Sequence, residues 1–150
     1  MTAVPLKKPP VYAPGEGMSQ LIHRIPLIAI SDAVNLTECS TAGTVTDLFD
    51  VPANTLITGI YTYVITASTS SDQACTLGDS DSAARFVADA ELQTAGWKRS
   101  TTPYLYSSAA KIQSTITLST GSGAVSQGQV RWLVEYFPNY DQLVKNQRLI

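Results

Sequence analysis

"GTVTDLFDVPANTLITGIYTYVITAS", residues 43–68, is the stretch on which the fold turns. Val45, Phe49 and Val51 share one parity, and Pro52-Ala53-Asn54 makes a turn between two strand-like runs. In the second run Leu56, Ile60 and Val64 alternate with Ile57, Tyr61, Tyr63 and Ile65, so both faces are apolar or aromatic. A strand of that kind is either sandwiched between two layers of its own domain or has one face on a partner subunit.

The neighbouring segments extend the pattern. "QLIHRIPLIAI", residues 20–30, is rich in branched residues, as in a strand buried on both sides, and Pro26 makes it an edge strand or breaks it there. "KIQSTITLST", residues 111–120, places Ile112, Ile116 and Leu118 opposite Lys111, Gln113, Thr115 and Thr117, a half-buried strand. "QVRWLVEYF", residues 129–137, sets Val130, Trp132, Val134 and Tyr136 against Gln129, Arg131 and Glu135 and is the cleanest strand in the chain. "GSGAVSQG", residues 121–128, is a hairpin loop without the Lys-Ser/Thr pair of a phosphate cradle. These runs predict an all-β chain, an antiparallel β-sandwich or jelly roll with one short helix over 83–92 and an extended N-terminal arm. The expected division is an arm over 1–18, a sandwich domain over 19–140 and a tail over 141–150.

Composition limits the function. The 150 residues are enough for one domain with its own core, and 44% hydrophobic residues against 15% charged is an apolar balance that hints at assembly. A net charge of −2 gives no electrostatic case for nucleic acid. The N-terminus lacks the apolar core of a signal peptide, and no run reaches the roughly eighteen apolar residues of a membrane span. A soluble chain made in the cytoplasm is expected, with no membrane partner.

Residues 1–18 contain Pro5, Pro9, Pro10 and Pro14, which exclude helix and leave an extended arm suited to docking on a neighbour. The tail ends in Leu149 and Ile150, an apolar end that a solitary monomer has no reason to expose.

Chemistry is sparse. His23 is the only histidine, which excludes paired-histidine metal sites, and no GxSxG elbow accompanies it. Cys39 and Cys75 form no CxxC pair and are expected as two buried free thiols. The acids of "CTLGDSDSAARFVADAELQTAGW", residues 75–97, fail the spacing of a calcium loop. Ala83 and Ala84 replace a ligand and the central glycine, and Glu91 falls one residue late. A looser cation site on Asp72, Asp79 and Asp81 stays open. Asp81 or Ser82 is placed to cap the short helix, whose Phe86, Val87 and Leu92 face the sheet, and Gly96 ends the segment before Trp97 turns back. A sugar-binding or glycosidase reading would require Asp89 and Glu91 beside Trp97 and Tyr104 in one cleft.

The run from Pro52-Ala53 through residues 55–66, Thr76 to Asp79, Asp81, Phe86 and Gly96 resembles small structural proteins of tailed bacteriophage virions, of the capsid cement, decoration or head-auxiliary type. The likeness covers roughly a third of the chain. It departs at Ala83-Ala84-Arg85, where a glycine often follows the acidic turn. The resemblance implies a non-enzymatic, cofactor-free homotrimer in the virion that binds the major capsid protein and bridges its subunits. A neck or tail adaptor, or an attachment protein, is the alternative within the same class, and a carbohydrate-binding module the alternative outside it. The expected contacts are Val4, Pro5, Leu6, Pro9, Pro10, Val11 and Tyr12 of the arm, the aromatic group Trp97, Tyr104 and Tyr106, and Leu149 and Ile150 of the tail.

Overall fold

The computed structural model describes residues 3–6, 26–39, 43–100, 103–117, 125–138 and 140. In chain order the strands are β1 (Val4–Pro5), β2 (Leu27–Ile30), β3 (Val34–Asn35), β4 (Thr44–Val51), β5 (Thr55–Thr66) and β6 (Ala74–Gly78). They continue with β7 (Val87–Glu91), β8 (Gly96–Ser100), β9 (Tyr104–Tyr106), β10 (Ala110–Thr117) and β11 (Gln129–Phe137). A single 3-10 turn, Leu36–Glu38, is capped by the Asn35 side chain, which accepts from the Thr37 amide. The first sheet has the order β1-β4-β10-β6-β7 and the second β2-β11-β5-β8, with β3 also on β11 and β9 also on β5.

The two sheets share one apolar core. From the second sheet Val130, Trp132, Val134 and Tyr136 of β11 point inward, the alternation expected from its sequence. From the first come Phe49 and Val51, Cys75 and Leu77, and Ile112 and Ile116, all buried in the same cluster. Fully burying one such branched or aromatic side chain is worth about 1.5–3 kcal/mol, so these strands dominate the stability of the sandwich.

Two bulges explain where simple parity fails. Between β4 and β10 the register shifts at Ile112/Gln113, where Ile112 faces Phe49 and Gln113 faces Asp47, leaving Leu48 as the extra residue. Leu48 and Phe49 are therefore both buried, and Val45, expected on the parity of Phe49, is exposed instead. Between β5 and β11 the register shifts at Glu135/Tyr136, and Thr58 is the extra residue. Its hydroxyl donates to Glu135 Oε1 at 2.7 Å. Thr55 and Ile57 face the core before this point, and Ile60, Thr62 and Val64 after it.

The expected helix over 83–92 is not formed. A tight turn occupies 80–86, and Val87–Glu91 is strand β7, with Ala90 opposite Cys75 and Val87 opposite Leu77. The backbone of β6 had an unpaired edge, and satisfying it outweighed the weak helical preference of an alanine-rich run of about ten residues. Leu27–Ile30 is an edge strand paired only with β11 and begins just after Pro26, in keeping with that proline. Cys75 is buried, whereas Cys39 is only half-buried. His23, Leu118 and the first half of "GSGAVSQG" lie outside the described residues.

Candidate assembly face

The outward side of the second sheet carries the apolar residues that the core does not use. Directly opposite residues of paired strands share a face. Following the registers, Ile30, Leu133, Tyr61 and Arg99 form one row across four strands, and Arg131, Tyr63 and Trp97 form the next. Phe137, Leu56 and Leu105 make a third. Ile28 is 60% exposed, Trp97 57%, Ile30 50% and Leu105 41%. Among the described residues, four of the five exposed large hydrophobics therefore lie on this one face, the fifth being Val45.

Cross-strand contacts hold the aromatics of this face in place. Trp97 stacks on Tyr63 with ring centroids 4.3 Å apart and planes 16° from parallel, and it meets Tyr61 edge-on at 6.3 Å. The Arg99 guanidinium lies 5.3 Å from the Tyr61 ring centroid. Pairs like these are worth about 0.5–1.5 kcal/mol each, enough to preset the rotamers. Gly96, at φ +126°, bends the chain into β8 so that Trp97 points outward. The face offers contact area and shape, with two arginines and Glu135 as its charged members.

The acidic stretch 75–97 folds into a closed corner. Gly78 approaches the turn so closely that a Cβ there would lie 1.9 Å from the Ser82 carbonyl oxygen. Just beyond it the buried Asp79 carboxylate accepts from the amides of Asp81 and Ser82 at 3.0 and 2.9 Å. It also accepts from Arg85 Nε at 2.5 Å and Nη2 at 3.2 Å, and from the Tyr106 hydroxyl at 2.7 Å. Burial alone would raise the Asp79 carboxyl, but the donors from Arg85, Tyr106 and Ser82 hold it below the usual carboxylate range. Burial, followed by the bond to Asp79, pushes the Tyr106 hydroxyl up. Arg85 in turn lies 3.9 Å over the Tyr104 ring, and Phe86 meets both tyrosines at 6.4 Å.

This corner decides several sequence readings. Asp79, and neither Asp81 nor Ser82, is the capping residue, and it caps a turn. Its oxygens are committed to protein donors, and Asp72 stands at the opposite end of β6, so the three acids do not converge on a cation. Among the described residues no group of three or more His, Cys, Asp and Glu is placed to hold a metal. The aromatic group is also divided. Tyr104 and Tyr106 face Ile57 and Thr55 on the inner side of β5, and only Leu105 between them faces out with Trp97. Strand alternation imposes that separation. Asp89 and Glu91 are exposed on edge strand β7 of the first sheet, where the Glu91 carbonyl accepts from Lys98 Nζ of β8, whereas Trp97 stands on the outer face of the second sheet and Tyr104 on its inner side.

Of the arm, Val4 and Pro5 form β1, which runs parallel to β4 with Val4 opposite Phe49 and Pro5 opposite Asp50. Leu6 is buried at 4% exposure, and its amide donates to the Asp50 carbonyl at 3.0 Å. Pro9, Pro10, Val11, Tyr12, Leu149 and Ile150 lie outside the described residues. The sequence reading gives Leu105, Ile28 and Ile30 no surface role; the Tyr-Leu-Tyr alternation is the available signal for the first, and for the other two, in a run apolar on both parities, only pairing with β11 decides which parity faces out.

The architecture is shared with proteins of phage capsids. The chain is similar to one in the cyanophage Pam1 capsid asymmetric unit, with a TM-score of 0.58 and 19% identity over 86% of this chain and 93% of that one. A chain of the acid-stable capsid of Helicobacter pylori bacteriophage KHP30 gives 0.60 and 13%, over 77% and 89%. One from the capsid of Ralstonia phage GP4 gives 0.58 and 12%, over 89% and 91%. No family model and no curated protein matches the sequence. The class is thus an antiparallel β-sandwich of the kind found in phage capsids.

Proposed function

We propose that this chain is a structural protein of a bacteriophage virion, a cement or decoration subunit that self-associates, as a homotrimer, and bridges major capsid subunits through the outer face of its second sheet. The observation that carries the reading is the concentration of exposed Ile28, Ile30, Trp97 and Leu105 on one preset surface. The likeness in fold to chains of three phage capsids supports it. Isolated surface hydrophobics need no explanation, but a contiguous row across four strands marks an interaction surface. Binding would come from burying this apolar centre within a polar rim, and no turnover is involved.

The test is addition of purified protein to capsids stripped of it. Wild-type protein should bind at many sites over the shell and raise its resistance to heat, and the triple variant Ile28→Ser, Ile30→Ser, Trp97→Ser should bind at least tenfold more weakly while remaining folded. Density confined to one vertex in an image of the particle would replace this reading with the neck or tail adaptor. Wild-type affinity in the triple variant would overturn the choice of face.

A further inference from the structure

Strand β1 is joined to the sandwich in an unusual way. Every strand pair in the described residues is antiparallel except β1 with β4. The two-residue pairing is reinforced by Leu6, which fills the wall of an open groove of about 910 Å³ shared with Asp50, Val51, Pro52, Asn54 and Lys111. Ala3 is buried at the other end of the strand. The segment thus inserts side chains into the domain as a plug.

The connection that follows is far longer than the geometry requires. Leu6 bonds to Asp50, beside the turn at Pro52–Asn54, and Leu27 pairs with Tyr136, which itself pairs with Ile57 just past that turn. Both ends of the connection therefore lie at the same end of the sandwich, in sheets that pack about 10 Å apart. Two to six residues would close such a gap. The chain uses residues 7–26. Fully extended, a segment of that length spans roughly 65 Å, more than the breadth of a domain of this size, about 40 Å. A strand at the end of such a tether has the length to reach the β4 edge of an adjacent copy, where the same register contacts are on offer. Between copies held side by side, the tethered strand is present at an effective concentration in the millimolar range.

We propose that Ala3–Leu6 is exchanged between copies of this chain: in the assembled protein, β1 of each copy occupies the β4 edge and the Leu6 groove of its neighbour. The exchange interlocks the subunits through strand pairing and a buried side chain. It stands on the geometry of β1 and its connection, independently of what the outer face binds.

Cysteine pairing tests it. Pro5 and Asp50 are register partners on the outer side of the sheet, and neighbouring strands place such residues within disulfide reach. In a Cys39→Ser background, Pro5→Cys and Asp50→Cys are made separately, mixed at millimolar concentration, unfolded and refolded together, and oxidised. Exchange predicts that most cross-linked chains run at twice the monomer mass, as Pro5→Cys joined to Asp50→Cys. A double variant that closes its disulfide within single chains, with no product in the mixture, overturns the proposal. So does a double variant that forms no disulfide at all, since β1 would then not occupy a β4 edge. As an independent check on folding, a chain lacking residues 1–6 should keep its β-sheet circular dichroism but elute as a smaller species. Retention of the full-length oligomer by that truncated chain also overturns exchange.

Discussion

Two aromatic clusters, one on each side of the second sheet, meet opposite fates. Phe86, Tyr104 and Tyr106 turn inward around a buried carboxylate, with the Tyr106 hydroxyl donating to Asp79 and the Arg85 guanidinium, paired with Asp79, lying over the Tyr104 ring. Trp97, Tyr61 and Tyr63 turn outward, Trp97 stacked on Tyr63 and edge-on to Tyr61, with the tyrosines half-buried and the indole open to solvent. Aromatic content is the same in kind on both sides, so what separates an element of the core from a contact surface is the parity of a strand and the presence of a satisfied polar anchor. The first cluster is a device for stability. The second contributes little to the single chain and becomes valuable only when something covers it.

This contrast breaks most visibly at Asp79. Asp79→Ala leaves Tyr106, Arg85 and two turn amides without their acceptor, and should cost about 3 kcal/mol of unfolding free energy, read as a lower midpoint in urea. Gly78→Ala tests the same corner through sterics, because the new methyl collides with the backbone at Ser82. A loss of about 2 kcal/mol is expected, and an unchanged midpoint would mean that the turn is loose. Tyr106→Phe removes one donor while Arg85 remains, so the loss should be about 1 kcal/mol.

Acid sharpens the same side of the comparison. The Asp79 carboxyl is held below its ordinary value, so its contribution is fully present above the unfolded carboxyl value of about 3.9 and is lost as pH falls through the folded one. Urea midpoints of the wild type should therefore drop as pH is lowered below about 4, and Asp79→Asn should remove that part of the acid dependence.

The smallest effect on stability belongs to the open cluster. Trp97→Ala should change unfolding free energy by less than about 1 kcal/mol, since the residue is already mostly exposed. Its signature is optical. Trp132 is fully buried, so quenching of wild-type fluorescence by acrylamide should arise from Trp97 and disappear in the variant, and also disappear when the face is covered by assembly. A Trp97→Ala protein that remained as quenchable as the wild type would place Trp132 at the surface and contradict the packing of β11.

The all-β class, the clean alternation of Val130 to Tyr136, the edge position after Pro26 and the turn at Pro52–Asn54 were all legible in the amino-acid order, because each depends on local propensity or on a period of two. The notable apolar content of both faces of residues 55–66 was legible as well. What could not be read was where parity breaks, since the bulges at Leu48 and Thr58 exist only in relation to partner strands β10 and β11. The helix expected over 83–92 failed for a related reason: an open edge on β6, more than eight residues away in the chain, offered its backbone better partners than a helix could. Asp79 acquires its role from Arg85 and Tyr106, one local and one 27 residues distant. Local pattern determined that this protein would be layered sheets with apolar surface to spare; only tertiary pairing decided which aromatics close the core and which remain to meet a partner, because register, and with it the face each residue takes, is a property of strands taken together.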